Sequence, residues 1–595
     1  MASLTTAVAI IGSMIWAAAP VEFTLTDIHG QTKTLTDLAG PKGTLLAFIG
    51  VECPLVKLSA PKLVRLAEKY QAEGIHFVAI DPNAQDSLLE IKKFQEENKL
   101  PFAVLLDKGG STAQQLQIER VPTVLLLDAN KELVYRGRVD DQYGFRPGLD
   151  GRKLSYQLPK PKREDLARAI DDLLASKPIQ LAQTEATGCL IGKARTPDPK
   201  SKVTYSDQIV RLFNAHCVSC HRPGQIGPFA LGSYEDAAGW AEMILEVVSD
   251  RRMPPWHADP AHGTFSNDAR LRDEQIQLVK DWVAAGVPEG DRSQVPTPPK
   301  FPEGWLMPEP DQVIYMADKA YSVQAEGTVP YINFIVDPGW KEDKWVTAME
   351  PRPGNPKVVH HIVMFVIPPP GKTKYYTKGL PLTVLDWFAS FAPGLRPPVL
   401  PEHMGRFIPA GSKLLFQMHY TPCGTPEEDR SFIGIKFADP AKVKREVAVQ
   451  HAGNMFFSIP PQVKNHQLEA WYDFSRDSVL LTVSPHMHWR GKDFKYTLHF
   501  PDGREQVVLF VPQYDFGWQT TYTLAEPIRV PKGSRLHCVA HYDNSADNLN
   551  NPNPMATVRF GEQTWDEMMY GWFEIALDDK DLDLTADAAS SGGGK

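Results

Sequence analysis

The sequence predicts a multidomain chain in which an α/β domain comes first, a small all-α domain second, and two all-β sandwiches of the jelly-roll type last. Three observations carry that expectation. Up to residue 180, apolar runs of strand length alternate with helical runs. Helical runs then flank a C-x-x-C-H pentapeptide, and from residue 313 onward short alternating strands recur with Gly, Pro, Asn and Asp between them. At 595 residues the chain is too long for one core, and its 51 prolines cluster between blocks as linkers require. A net charge of −9 without a long basic run argues against nucleic acid as a partner.

Residues 1–19 carry a small apolar run that ends in Ala17-Ala18-Ala19-Pro20, which reads as a signal peptide with an A-x-A cleavage site. No other stretch approaches the length of a membrane span. The expectation is a periplasmic or secreted protein of bacterial-type export, with no span in the mature chain.

In the block 20–180, residues 44–50 form a continuous apolar strand, and Cys53-Pro54 opens a helical pattern over 55–72. Strand runs at 75–80 and 102–106 alternate with a helical run at 88–98. Val121-Pro122-Thr123 precedes a strand at 124–128, a further strand covers 132–139, and a helix at 162–176 closes the unit. The order resembles the thioredoxin/redoxin superfamily, which implies that Pro122 is cis and faces the cysteine. A thiolate at a helix N-terminus is favoured by the helix dipole, which makes Cys53 a candidate redox thiol. Cys53-Pro54-Leu55-Val56 lacks the second thiol of C-x-x-C, and Gly50 stands where a peroxiredoxin has Thr. Cys189, in an expected linker at 181–202, is a candidate resolving thiol that nothing in the sequence places near Cys53. A structural, docking or one-thiol role is therefore expected before a dithiol enzyme.

The block 203–290 contains Cys217-Val218-Ser219-Cys220-His221. Two thiols so spaced can form thioethers with haem vinyl groups while the adjacent histidine reaches the iron, and no second ligand pair follows to make a zinc site. Helical runs at 206–215 and 270–285 flank it. The block resembles small c-type cytochromes. That resemblance implies covalently bound haem c on Cys217, Cys220 and His221, with Met253 as second axial ligand and His257 as the alternative. Residues 291–312 are a proline-rich spacer.

The last block divides into expected sandwiches at 313–439 and 440–580, followed by a tail at 581–595 that reads as disordered. Val479, Leu481 and Val483 alternate as a strand with one buried face, and Ser484-Pro485-His486-Met487-His488 follows. Residues two apart on a strand share a side, so His486 and His488 would present two imidazoles to one point. His360 and His361 are adjacent and would point apart unless a bulge intervenes. His419 lies in Gln417-Met418-His419-Tyr420, and Met568 in Asp566-Glu567-Met568. Any one of these alone is more often structural.

Their order, H-H, Q-x-H-Y, H-x-H and then D-E-M, resembles the copper type II, ascorbate-dependent monooxygenases, the family of peptidylglycine and dopamine β-monooxygenases. The resemblance implies two copper ions. An electron-transfer copper would sit on His360, His361 and His419, and a catalytic, oxygen-binding copper on His486, His488 and Met568. Imidazole suits both copper states, and a thioether favours Cu(I). Peptide-amidating members carry Arg where this chain has Ser484, and Asn and Tyr where it has Tyr570 and Trp572. A peptide carboxylate thus has no evident anchor. Met569 replaces a cysteine that family members bridge to the position of Cys538, which leaves Cys423 with Cys538 as an alternative pairing.

The expected function is a copper-dependent monooxygenase that inserts one oxygen atom from O2 into a C–H bond of a small-molecule substrate. The fused haem would donate electrons, fed by an ascorbate-like reductant or a periplasmic redox protein. The alternative is a haem/copper electron-transfer or copper-binding redox module without oxygenase activity.

Overall fold

The computed structural model describes residues 20–148, 152–158, 160–223, 225–301, 304–370, 372, 387–392, 395 and 397–577. The expected signal peptide (1–19) and tail (581–595) lie outside the described residues. The chain groups into two compact units, Met1–Asp141 with Arg163–Lys193, and Gln142–Lys162 with Ala194–Lys595.

The first unit is built on a seven-stranded sheet in the order Thr32–Thr34, Thr24–Asp27, Ala103–Leu106, Ile75–Asp81, Gly43–Phe48, Thr123–Asp128, Leu133–Gly137. All six residues of Gly43–Phe48 are buried, as the unbroken apolar run of a central strand requires. That strand runs parallel to Ile75–Asp81 and antiparallel to Thr123–Asp128. The helices Pro54–Tyr70 and Asp165–Leu174 pack on the sheet. A third helix, Leu88–Asn98, starts where Ser87 and Glu90 form a reciprocal capping box.

Two features depart from the sequence boundaries. Residues 142–162, with the hairpin Tyr143–Pro147 and Lys153–Gln157, group with the second unit. Within the expected linker, Cys189–Leu190 forms a strand antiparallel to Arg120–Val121, so this segment belongs to the first unit. Its composition reads as loop, and only a pairing partner distant in sequence makes it a strand.

In the second unit, the helices Val210–His216, Tyr234–Gly239, Ala241–Ser249 and Asp273–Ala284 follow that hairpin. Trp282 is fully buried among them, its Nε1–H donating to the Pro288 carbonyl at 3.1 Å, with Phe213 edge-on to its ring. The β-rich remainder has an eight-stranded sheet in the order Gln312–Tyr315, Phe432–Phe437, Lys344–Arg352, Met404–Ile408, Arg445–Asn454, Met569–Leu577, Ser478–His486, Tyr522–Val530. Its first half shares a core with the four-stranded sheet Ile332–Val336, Lys413–Tyr420, Val359–Ile367, Trp387–Phe391. Its second half shares another with His466–Asp473, Arg535–Tyr542, Gly491–His499, Glu505–Val511. One sheet therefore runs through both halves, continuous where Met404 pairs in parallel with Arg445.

The alternation Val479, Leu481, Val483 does not survive as a single buried face. A bulge between Leu480 and Thr482 changes the phase of the strand. Leu480 and Val483 enter the main core, while Val479 and Leu481 pack in a separate cluster with Leu400, Val447 and Ala576. No helix among the described residues is long and apolar enough to cross a membrane.

Candidate metal centre and thiol site

The strand Val359–Ile367 pairs with Lys413–Tyr420, and its register shifts between Val359 and His361. That irregularity lets adjacent histidines turn to one side, the condition the sequence imposed. His361 lies directly opposite His419. His360 Nδ1 is 3.2 Å from His361 Nδ1, which is 3.3 Å from His419 Nδ1. One nitrogen of each ring falls within 4.8 Å of the others, close enough to hold one metal ion. Burial pushes all three imidazoles down, His360 to about 4 and the other two well below the ordinary range. Neutral imidazole is the ligating form. The Tyr331 ring packs 4.8 Å from His419 and 5.5 Å from His361.

His486 ends the strand Ser478–His486, and the ring of His488 lies 5.3 Å from it between centroids. Gln519 Oε1 sits 2.9 Å from His486 Nδ1, so an Nδ1–H donating there leaves Nε2 to ligate. His488 Nδ1 faces the Asp566 carbonyl at 3.4 Å, and its Nε2 is buried without a hydrogen-bond partner. An orphaned, buried imidazole nitrogen fits a metal ligand. The fully buried Glu567 carboxylate accepts the backbone N–H of His488 (2.8 Å), Arg490 (2.6 Å) and Met568 (3.3 Å). Burial pushes this carboxyl up to about 7, with Arg490 and those donors working against the rise. His486 is paired with Tyr570, so Met568, two residues before Tyr570, shares its side of the sheet. Met568 is buried with Tyr570 and Trp572.

The two clusters meet at Phe516. Its ring centroid is 5.9 Å from His360, 6.3 Å from His361, 6.4 Å from His419 and 5.9 Å from His488. Phe516, Gln519, Tyr331 and Glu567 are site residues beyond those that the sequence pattern marks. Only Glu567 left a signal, as the acid directly before Met568.

Cys217, Cys220 and His221 follow the helix Val210–His216. His221 Nδ1 is 3.1 Å from the Phe229 carbonyl, which directs Nε2 away as an iron ligand requires. The donor set thus fits a covalently held haem. Met253 lies in the loop after Ala241–Ser249, and the Met253–Pro254 bond is cis. Beyond it Trp256 and Phe265 pack on Tyr522, at 4.9 and 5.4 Å between centroids. The backbone N–H of Asp259 donates to Phe510 O at 2.8 Å and that of Ser266 to Thr523 O at 2.9 Å. These contacts fasten the helical block to the half that carries His486 and His488.

Cys423 and Cys538 are both thiols and lie against different cores, so the pairing considered from sequence is not formed. Cys538 is packed so closely on Gly571 that a Cβ there would fall 2.4 Å from its sulfur.

In the first unit Cys53 caps the helix Pro54–Tyr70, and its Sγ–H donates to the Val121 carbonyl at 3.3 Å. The Val121–Pro122 bond is cis, as the superfamily resemblance implied. Cys189, which sequence left unplaced, pairs with Val121 and hydrogen-bonds with Cys53. Burial alone would push the Cys53 thiol up. Hydrogen bonds from Cys189 and from the backbone of Val56 and Leu55 outweigh it, and the net shift is down.

Comparison with known proteins bears on this unit. Residues 16–136 match the AhpC/TSA family model. Thiol-disulfide oxidoreductase ResA of Halalkalibacterium halodurans is 31% identical over 114 residues, and that of Geobacillus thermodenitrificans 33% over 109 residues. These matches span 19% and 18% of this chain and only 63% and 61% of the relatives' length. Among solved structures, an uncharacterized conserved protein from Geobacillus kaustophilus is similar at 32% identity and a TM-score of 0.25, over 29% of this chain and 88% of that one. A hypothetical protein from Sinorhizobium meliloti has 28% identity and a TM-score of 0.26, over 30% of this chain and 95% of its own. The first unit is accordingly a thioredoxin-like α/β domain that matches the AhpC/TSA family.

Proposed function

We propose that the chain is an exported, copper-dependent monooxygenase acting on a small molecule, with a c-type haem in the same chain as electron donor. The observation that carries the reading is the burial of two histidine clusters on either side of Phe516, one of them presenting an unpartnered His488 Nε2. His360, His361 and His419 would hold one copper, His486, His488 and Met568 the second. Cys217, Cys220 and His221 would hold haem c, with Met253 or His257 as its other axial ligand. When bound, the metals supply electron storage, oxygen activation and electron entry; an ascorbate-like reductant or periplasmic redox protein supplies the electrons.

The chain's own residues orient and enclose. Gln519 sets the tautomer of His486, and Glu567 ties the backbone of His488 and Arg490 to that of Met568. Phe516 and Tyr331 keep water from the imidazoles. The Ser484 hydroxyl lies 3.2 Å from the Thr521 hydroxyl, and no cation occupies that position. Met568 is buried against Tyr570 and Trp572, with Trp387 packed on Trp572 at 4.7 Å between centroids.

Purification from an oxidising, haem-maturing host, followed by metal analysis and copper electron paramagnetic resonance, tests the assignment. The expected result is two coppers in the wild type and selective loss of one signal in His486→Ala. Retention of both signals in the variant overturns the site. Copper-loaded protein that takes up no oxygen with any reduced donor would instead establish the electron-transfer module.

A further inference from the structure

Cys53-Pro54-Leu55-Val56 lacks the second thiol that a thioredoxin motif places one helical turn away. The fold brings another from a different direction. Cys189–Leu190 lies antiparallel to Arg120–Val121 with Cys189 opposite Val121, the residue whose carbonyl accepts from Cys53. The segment is fastened on both sides. Arg120 Nη1 donates to Gly188 O at 3.0 Å, Ile191 N to Glu119 O at 3.0 Å, and Gly192 N to Asn83 Oδ1 at 3.2 Å. The close approach depends on Gly188, since a Cβ there would fall 1.9 Å from the Val121 carbonyl oxygen. On the other flank a Cβ at Gly50 would fall 2.5 Å from Asn83 Nδ2. A segment so tightly seated, ending on a second thiol in hydrogen-bonding contact with the first, is a built two-thiol site.

We infer that Cys53 and Cys189 are a dithiol–disulfide couple through which the first unit exchanges disulfides with cysteine pairs of partner proteins. In the oxidised couple a partner thiolate attacks Cys189 Sγ. The Cys53–Cys189 bond breaks, and Cys53 leaves as a thiolate. Cys53 is the suited leaving group because the backbone of Leu55 and Val56 at the helix start and the backbone of Cys189 favour its anion. Cys189 is also the more exposed residue of the two, at 8% against 0% for Cys53. The partner's second thiolate then attacks its own sulfur in the mixed disulfide and releases Cys189. Net, a partner dithiol becomes a disulfide, the couple becomes a dithiol, and two electrons and two protons pass to the chain. Run backwards, the same exchanges reduce a partner disulfide.

The test uses the full chain in glutathione buffers of graded oxidised-to-reduced ratio, followed by alkylation and peptide mapping. The expected product is a Cys53 peptide joined to a Cys189 peptide, with the loss of two hydrogens and of both alkylation sites. Alkylation of both thiols at every ratio overturns the couple, and so does linkage of either one to Cys217, Cys220, Cys423 or Cys538. With excess glutathione disulfide, Cys53→Ser should hold a stable glutathione adduct on Cys189, while Cys189→Ser holds none on Cys53. The opposite pattern overturns the assigned order of attack. Reduction of insulin by dithiothreitol should be accelerated by wild type and by neither variant. No acceleration by wild type overturns exchange with partner proteins.

Discussion

His360, His361 and His419 touch one another and aromatic rings, and among the described residues no carboxylate or amide orients them. His486 and His488 are held differently, His486 by Gln519, and His488 by the Asp566 carbonyl and, through its backbone N–H, by Glu567. The first cluster is shaped by a kink in the strand and by packing; the second is shaped by hydrogen bonds. Packing leaves ring rotation soft, whereas a hydrogen bond to Nδ1 fixes both tautomer and ring plane. The first cluster should therefore fail when a ring is removed, and the second when its scaffold is.

The largest effect is expected from His419→Ala. It removes the ring opposite His361, and with it one of the three histidines that, among the described residues, could hold a metal ion there. Copper analysis should show one ion lost at stoichiometric loading, with the other retained. Loss of both would mean that the clusters are not separately built.

Glu567→Ala comes next and acts on the scaffold alone. Three buried N–H groups lose their acceptor. Unsatisfied buried donors cost about 1–3 kcal/mol each, so a loss of about 3 kcal/mol or more is expected in denaturant unfolding. Glu567→Gln, which keeps an acceptor oxygen, should lose less. A Glu567→Ala chain as stable as wild type would remove Glu567 from the comparison.

What the sequence made legible here follows from where each signal is stored. His486 and His488 sit two apart, and Cys217, Cys220 and His221 within five residues, so spacing alone announces them. The helix Leu88–Asn98 was readable because Ser87 and Glu90 cap it locally. The bulges at Val359/His361 and Leu480/Thr482 were not readable, because each is a property of a strand and its partner's register. The contact of Cys189 with Cys53 was hidden for the same reason, its partner strand being Arg120–Val121. Gln519 and Phe516 come from a stretch between strands with no pattern of its own. Glu567 was in view beside Met568, but its buried position and its three donors are tertiary facts.

A smaller effect is expected when the hydrogen bond to His486 is removed without touching a ligand. Gln519→Leu takes away the oxygen 2.9 Å from Nδ1 and leaves the ring in place. Loss of such an outer partner weakens metal binding by about 10–100-fold. Competition with a chelator should show that weakening at the second cluster only. An equal change at the first would contradict the separate scaffolds.

The smallest effect, and the sharpest comparison, comes from Phe516, which touches both clusters. It lies nearly parallel to His360, with an interplanar angle of 11°, and edge-on to His488 at 85°. Phe516 is partly buried, so Phe516→Leu should cost only about 1 kcal/mol. Its consequence for the two clusters should be unequal. His360 has ring contacts and His361 to hold it, so losing a stacked face frees its rotation. His488 keeps the Asp566 carbonyl and the Glu567 clamp whatever stands at position 516. Copper spectra of Phe516→Leu should therefore broaden or shift for the first cluster and stay fixed for the second. A shift confined to the second would show that packing, not hydrogen bonding, holds His488, and the distinction between the two sites would fall.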